Sequence, residues 1–181
     1  ATFVQDFLVA PQDLTPSSIT FNNDGTKMFV VGDAGNDLNE YSLSTAFDIS
    51  TASYVIRKSL SGEGFPTGIS FNNDGTKMFI IGYQYDYVYE YSLSTPYDVS
   101  SATYAGNAER FYVRNEEGYP VGLEFNNDGT KMYVIGDSGN DISEYNLTTA
   151  FDVSSATYAG NSELLVIPTT IESNPQSFSF N

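Results

Sequence analysis

Hydrophobic and polar residues alternate in short runs along the chain, and turn-forming residues separate the runs. The run at Gly68–Asn72 alternates and is followed by Asn-Asp-Gly, a strong signal for a tight hairpin turn. Thr76–Gly82 has an apolar, β-branched centre, and Tyr87–Leu93 alternates large apolar with polar residues, as a strand with one solvated face does. A fourth strand is predicted within Thr103–Val113. No segment combines a 3.6-residue apolar period with helix caps, so the pattern predicts an all-β protein with almost no helix.

The same pattern occurs three times. The octapeptide FNNDGTKM stands unchanged at Phe21–Met28, Phe71–Met78 and Phe125–Met132, at offsets of 50 and 54 residues. In each copy a Pro precedes it, and a Gly, a Glu-Tyr pair and a Ser/Thr-rich run ending in FDIS, YDVS or FDVS follow it. Four antiparallel strands in such a unit are typical of a propeller blade. We therefore predict β-propeller-type blades of four antiparallel strands, in about three and a half repeats of ~50 residues.

The repeats predict a single domain over residues 1–181. Its predicted parts are a partial blade strand (1–15), three repeats (16–65, 66–119 and 120–174) and the start of a fourth (175–181). Closed propellers need about four to eight blades. Three explanations stay open: a fragment of a larger propeller, two chains that close one ring, or a polymer in which terminal strands pair between neighbours. Because open blades have unpaired edges, completion by another chain is favoured over a free monomer.

The octapeptide has a structural explanation. Asp-Gly supplies the positive φ angles of a two-residue hairpin, and Asn side chains bond the neighbouring backbone. Its lysines, Lys27, Lys77 and Lys131, are expected at strand edges or near the acidic surface.

Composition narrows the function classes. The net charge is −16, and seven Lys and Arg residues cannot form the positive surface that nucleic acid or an anionic membrane requires. No apolar run is long enough for membrane insertion. Without Cys or His the chain lacks disulfides, a thiolate zinc site and the commonest general base near neutral pH. Neither a phosphate-binding loop nor a nucleophile elbow is found.

With FNNDGTKMFVVG and its two copies in view, the units resemble the SPDGTKMYV-type blades of the YVTN/NHL-like β-propeller family. They are most similar to Asn/Asp-rich tandem repeats of surface and phage structural proteins from aquatic microbes. The resemblance covers essentially the whole chain and implies the blade fold, but propellers have binding, scaffold and enzyme roles alike. Lactonase-type members of similar folds use acidic, Asn and often His residues around the central channel. No matching constellation is found here, so no catalytic residue is predicted.

The loop after the second strand of a blade is the main candidate site. It reads DAGND at 33–37 and DSGND at 137–141, which places carboxylates and an amide oxygen around a Gly, as ligands suited to Ca²⁺. The second repeat has YQYDY at 83–87 instead. A polar turn explains the same residues without a metal. No cofactor is certain, and calcium is the candidate, with the ligands Asp33, Asn36, Asp37, Asp137, Asn140 and Asp141.

The second repeat offers a different candidate. Tyr83, Tyr85 and Tyr87 alternate with other residues, so their rings can share one face and bind carbohydrate or protein. Packing against the neighbouring blade is the alternative. Separately, Asn146 begins an N-glycosylation sequon.

A glutamate recurs at one strand position of every blade, as Glu40, Glu90 and Glu144. Recurrent acids can line a channel or pair for acid–base chemistry. The alternation of the strand instead predicts that these side chains are exposed to solvent.

The near-identical repeats, the acidity and the incomplete terminal blades together favour a non-enzymatic module. We expect a structural, self-assembling or adhesive role in the extracellular space or on a cell or virion surface. The expected partner is another copy or the rest of a longer propeller chain. A carbohydrate- or protein-binding propeller is the alternative, and a metal-dependent, lactonase-like hydrolase ranks last because no His and no convergent acidic motif is found.

Overall fold

The computed structural model describes residues 3–62, 64–138, 141–160 and 165–166. Their strands form three antiparallel sheets, so the prediction of an all-β protein built from propeller-type blades is confirmed. The first blade comprises β1 (Pro16–Phe21), β2 (Lys27–Gly32), β3 (Asp37–Leu43) and β4 (Ala52–Ser59). The second comprises β5 (Pro66–Phe71), β6 (Lys77–Gly82), β7 (Tyr87–Leu93), β8 (Ala102–Tyr104) and β9 (Arg110–Tyr112). The third comprises β10 (Pro120–Phe125), β11 (Lys131–Gly136), β12 (Asp141–Leu147), β13 (Ala156–Tyr158) and β14 (Leu165–Val166).

Each sheet keeps the order of its strands in the sequence. In the first blade β4 runs the full length of β3. In the other two blades two short strands share the outer position. In the second blade β8 and β9 both pair with β7, and in the third β13 and β14 both pair with β12. Three one-turn 3-10 helices lead into the outer strands: η1 (Ile49–Thr51), η2 (Val99–Ser101) and η3 (Val153–Ser155). The predicted start of a fourth repeat, at 175–181, lies outside the described residues. The repeat boundaries stay predictions.

The inner strands of the blades lie side by side, with β5 between β1 and β10. Apolar layers fill the space between successive blades and cover the middle strands. Phe29, Val31 and Leu38 of the first blade pack against Ile80 and Tyr91 of the second. Among the described residues, no helix has the length and apolar character needed to cross a membrane.

The octapeptide forms the β1–β2 turn and its two equivalents. In the first blade the Asn22 side chain accepts a hydrogen bond from the Lys27 amide at 2.8 Å, and the Asp24 carboxylate accepts one from the Thr26 amide at 2.9 Å. Gly25 adopts a φ of 71°, and the ring of Phe47 from the segment before η1 packs directly on it. The same aromatic-on-glycine contact recurs at Gly75 with Tyr97 and at Gly129 with Phe151. The turn and the later FDIS-type segment therefore form one structural unit.

The octapeptide lysine joins successive blades rather than standing at a free edge. Lys27 Nζ lies 2.7 Å from Glu40 Oε1 and donates to the Tyr97 carbonyl of the second blade at 2.7 Å. The Val99 amide at η2 donates to Glu40 Oε2 at 3.1 Å. Glu40 thus receives donors from two blades.

The second and third blades repeat this joint. Lys77 Nζ lies 2.6 Å from Glu90 Oε1 and donates to the Phe151 carbonyl at 2.8 Å, and the Val153 amide donates to Glu90 Oε2. Glu40 and Glu90 are each only 3% exposed, so the prediction that they face solvent is wrong. The next blade covers the strand face that alternation assigned to water.

Two further contacts join each pair of neighbouring blades. The second Asn of the octapeptide bonds the backbone of its own counterpart in the next blade, from Asn23 to the Asn73 carbonyl and from Asn73 to the Asn127 carbonyl. On the inner strand, Ser17 donates to the Pro66 carbonyl at 2.6 Å, and Thr67 donates to the Pro120 carbonyl at 2.8 Å. The sequence of the octapeptide therefore specifies the blade-to-blade contact as well as the hairpin.

Candidate functional site

The inner strands enclose a cavity of about 210 Å³, with β1, β5 and β10 as its walls. Gly68 and Gly122 have no side chain to fill it, and Ile69 and Leu123 contribute to its lining. Among the described residues that line this cavity, one is ionisable, and it is Glu124. The other polar side chains that line it are hydroxyls, so the cavity places one carboxyl group in a neutral wall.

Strand β10 positions Glu124. Its neighbours Leu123 and Phe125 point into the packed layer between blades and are buried, and strand alternation then turns Glu124 to the opposite face. The other blades have Thr20 and Ser70 at the corresponding position of the inner strand. The third blade alone therefore brings a carboxyl group to this part of the cavity.

Burial raises the pKa of Glu124 above its ordinary value of 4.5. Smaller contributions from the Ser70 hydroxyl and the Phe125 backbone lower it. The Ser70 hydroxyl lies 3.5 Å from Glu124 Oε2. A carboxyl group with a raised pKa is a stronger base when ionised and holds its proton closer to neutral pH when protonated, which are the properties of a general acid–base group.

A second acidic group lies between the second and third blades. Oxygens of Glu90, Glu109 and Asp152 all lie within 4.8 Å of one another. Glu90 is already bonded by Lys77 and by the Val153 amide. None of the three carboxylates lines the cavity, and the group belongs to the blade-to-blade joint.

The predicted calcium ligands of the first blade differ in their surroundings, and calcium binding by them stays a prediction. Asn36 has a φ of 49° and uses its side-chain oxygen to accept a hydrogen bond from the Phe65 amide at 2.8 Å. Asp37 is buried, and its carboxylate accepts from Asn39 at 2.8 Å. Burial raises the pKa of Asp33. In the third blade, Asp137 and Asp141 flank the corresponding turn, whereas Asn140 lies outside the described residues.

Two acids at the same end of the blades, Asp13 and Glu117, are not among the predicted site residues. Asp13 accepts a hydrogen bond from the Thr15 amide at 2.8 Å, and Glu117 accepts from the Tyr119 amide at 2.7 Å and from the Ser138 amide at 3.0 Å. Both are 1% exposed. Each stands three residues before the Pro of its repeat, and this spacing is the signal that could have identified them.

The three predicted ligand-binding tyrosines have different surroundings. Tyr83 stacks on Phe65, with ring centroids 5.1 Å apart, whereas Tyr87 packs on Tyr112 at 4.9 Å. The Tyr85 side chain is 49% exposed. A binding role for them stays a prediction.

The sequon residue Asn146 is exposed on β12, opposite Lys131 and Thr157. Its glycosylation also stays a prediction.

No protein-family model matches the chain, and none of the curated proteins matches its sequence. Solved structures do resemble it in fold. A candidate 6-phosphogluconolactonase from Bacteroides fragilis matches with a TM-score of 0.58 at 12% identity, over 89% of this chain and 39% of that protein. A periplasmic gluconolactonase from Pseudomonas aeruginosa matches with a TM-score of 0.57 at 13% identity, over 84% of this chain and 40% of that protein.

Another match is the hydrazine synthase of Kuenenia stuttgartiensis, with a TM-score of 0.54 at 16% identity, over 80% of this chain and 36% of that protein. The chain thus spans about two fifths of the length of the structures that it resembles. At these identities the likeness is one of fold, and it supports a β-propeller-type architecture.

The expectation of a non-enzymatic structural or adhesive module is contradicted by these neighbours. Two of the solved structures with this fold are named as lactonases, the class that the sequence analysis placed last. The prediction rested on the absence of His and of a convergent acidic motif. A half-buried carboxyl group in the cavity makes that absence a weak argument, because Glu also acts as a general base when burial raises its pKa.

Proposed function

We propose that this chain forms part of a β-propeller hydrolase that opens small, uncharged cyclic esters of the sugar-lactone class, with Glu124 as the general base. The observation that carries the proposal is the Glu124 carboxyl group in the cavity between the inner strands, where burial raises its pKa. Active sites are where burial adjusts carboxyl pKa values toward the pH at which the enzyme works. The two neighbours named as lactonases support the choice of reaction.

The reaction needs a base and a proton carrier, and one carboxyl group can supply both. Ionised Glu124 takes a proton from a water molecule as the water oxygen bonds to the ester carbonyl carbon. The ring carbon–oxygen bond then breaks, and the proton passes from Glu124 to the departing ring oxygen. Lactone and water give the open-chain hydroxy acid, and Glu124 returns to its ionised form. The Ser70 hydroxyl lies beside the carboxylate and holds it in position.

The cavity wall favours an uncharged substrate. Hydroxyls, glycines and aliphatic side chains surround Glu124, and no Lys or Arg stands among the described residues that line the cavity. A phosphorylated lactone brings charge that such a wall does not neutralise, and the chain as a whole has a net charge of −16. A neutral lactone meets no such repulsion.

The test is hydrolysis of glucono-δ-lactone by the full chain. We expect the wild type to hydrolyse it, and Glu124→Gln to lower kcat by at least about 100-fold, because an amide cannot take the proton. Initial rates measured by proton release give kcat, and circular dichroism checks that the variant is folded.

The matched control is Glu109→Gln, which removes one carboxylate from the acidic group outside the cavity. It should keep wild-type activity. Loss of activity in Glu109→Gln with Glu124→Gln still active would contradict the assignment to the cavity. A wild type without any lactone hydrolysis would contradict the reaction class.

The pH dependence gives an independent check. Because Glu124 must be ionised to act as a base, kcat/KM should fall as the pH decreases through its raised pKa, with a midpoint above 4.5. The hydroxyl of Ser70 lowers this pKa, so Ser70→Ala should move the midpoint upward. A midpoint unchanged in Ser70→Ala would show that another group sets the profile.

We also propose that the repeats belong with the YVTN/NHL-like propellers. The octapeptide and its place in the β1–β2 turn support this grouping.

A further inference from the structure

Pairs of carboxylates with buried oxygens that lack a hydrogen-bond partner occur at one place in the first and third blades. In the first blade, Asp13 Oδ2 and Asp33 Oδ1 have no hydrogen-bond partner among the described residues, and neither does the amide oxygen of Asn39. In the third blade the same is true of Glu117 Oε2 and Asp141 Oδ1. A buried anionic oxygen without a donor is strongly unfavourable, and a bound cation is one partner that removes this penalty.

In the first blade, Asp13, Asp37 and Asn39 lie beside the same part of the β2–β3 ladder. Asp13 Oδ2 lies directly over Gly32, and Gly32 pairs with Asp37 across the β2–β3 ladder. Asp37 is held by the Asn39 amide at 2.8 Å, which leaves the Asn39 oxygen without a donor. Asp13 and Asn39 are 1% and 0% exposed. Both side chains therefore present a bare oxygen beside the buried Asp37 carboxylate.

Arg57 compensates the charge of this group only in part, through Asp37. Arg57 Nε lies 3.5 Å from Asp37 Oδ2, and 60% of the Arg57 side chain is exposed to solvent. Burial raises the pKa values of both Asp33 and Asp37, and the charge of Asp13 adds to both, whereas the Arg57 charge and the Asn39 hydrogen bond lower the pKa of Asp37. Several acids thus repel one another in a place that water reaches poorly.

The third blade builds the same arrangement from different residues. The Glu117 carboxyl group lies over Gly136, and Gly136 pairs with Asp141 across the β11–β12 ladder. Glu117 and Asp141 are both buried, and each has one oxygen without a hydrogen-bond donor. The geometry therefore recurs although Asp has been replaced by the longer Glu.

The second blade gives a natural comparison. Tyr83, Tyr87 and Tyr89 occupy the positions of Asp33, Asp37 and Asn39 in the first blade, so no pair of carboxylates forms there. The carboxylate that this blade does bury, Asp86, has the guanidinium of Arg114 2.7 Å from its Oδ2, while its Oδ1 lacks a hydrogen-bond partner among the described residues. Glu63, which matches Asp13 in spacing, lies outside the described residues.

We propose that the first and third blades each bind a hard divalent cation of the Ca²⁺ type, held by Asp13, Asp37 and Asn39 in one and by Glu117 and Asp141 in the other. Carboxylate and amide oxygens are the ligands that Ca²⁺ takes, and its flexible coordination accepts irregular sets completed by water. The octahedral demand of Mg²⁺ makes it a poorer occupant. The sites do not involve the cavity that contains Glu124.

The proposal is tested by titrating the chelator-treated full chain with CaCl₂ in a calorimeter. We expect binding in two blades, a higher Tm with Ca²⁺, and much weaker binding of Mg²⁺ at matched ionic strength. Asp13→Asn should remove the first-blade site, Glu117→Gln the third-blade site, and the double variant both. Tb³⁺ luminescence sensitised by the tyrosines gives a second measure of occupancy.

Asp6→Asn is the matched control, because Asp6 is an exposed acid on the same segment as Asp13 and loses the same charge. It should keep both sites. Absence of Ca²⁺ binding by the wild type would overturn the proposal, and this result needs no substitution and no correctly folded variant. Equal loss of binding in Asp6→Asn and Asp13→Asn would also overturn it, since general surface charge would then account for the effect.

Discussion

Lys77→Met is expected to lower the free energy of unfolding by about 3–5 kcal/mol, because it leaves a buried carboxylate without its cation. Glu90 is 3% exposed and lies 2.6 Å from Lys77 Nζ. The same ammonium group donates to the Phe151 carbonyl, so one hydrogen bond between the second and third blades is lost as well. Urea unfolding followed by tyrosine fluorescence measures the change, and the mid-transition slope reports whether unfolding stays cooperative.

Two variants separate the buried charge from the general loss of a lysine. Lys77→Met combined with Glu90→Leu should recover most of the stability, because an apolar pair can replace a buried ion pair. Lys131→Met should cost less than Lys77→Met, since the Glu144 side chain is 12% exposed against 4% for Glu90. A loss below about 1 kcal/mol in Lys77→Met would contradict the buried-pair interpretation, because exposed pairs contribute that little.

The Lys–Glu contacts between blades also show which features a sequence pattern can predict. Repetition and turn chemistry predicted the blades, because both depend on residues close together in the chain. The exposure of Glu40 and Glu90 was predicted wrongly for a physical reason. Alternation assumes one solvated face, whereas strand β3 is buried on nearly its whole length, under the second blade on the side of Glu40 and under the N-terminal segment on the side of Tyr41. The residues that bury these carboxylates stand about a full repeat away.

The candidate sites were predictable to different degrees. The DxGND loops drew attention to Asp33 and Asp37, since recurrence is visible in sequence. Asp13 and Glu117 recur too, but they lie before the repeat in loops of unequal sequence. Glu124 occurs in one blade only, and its burial results from the approach of three inner strands, which no local pattern reveals.

The residue pattern also gave no sign that proteins of this fold include enzymes. The absence of His weighed against catalysis because His titrates near neutral pH without help. Burial gives Glu124 a pKa shifted in that direction, but burial is a property of the assembled blades. Location and partners stay predictions.

Gly75→Ala is expected to lower the free energy of unfolding by about 2–5 kcal/mol. Gly75 has a φ of 71°, a conformation that costs an L-residue about 1–2 kcal/mol. A methyl group there would also overlap the ring of Tyr97, and overpacking of this kind costs about 1–3 kcal/mol. The ring has little room to move, because Phe29 and Phe71 pack against it.

Gly106→Ala is the matched control for this variant. Gly106 also has a positive φ, 108°, but nothing lies within 4 Å of the added methyl group, so it should show the backbone cost alone. A larger loss in Gly75→Ala than in Gly106→Ala would show that the contact between turn and aromatic ring adds to the backbone cost. A smaller loss in Gly75→Ala would contradict this contribution.

Gly75→Ala also tests whether the β5–β6 turn is coupled to the contact between the first and second blades. The carbonyl of Tyr97 accepts from Lys27 of the first blade at 2.7 Å, so a shift of the ring moves the acceptor of that bond. Gly75→Ala and Lys27→Met should therefore be less destabilising together than the sum of their separate effects, by at least about 0.5 kcal/mol. Strict additivity would mean that the octapeptide glycine and lysine act independently, and that their fixed spacing serves the hairpin alone.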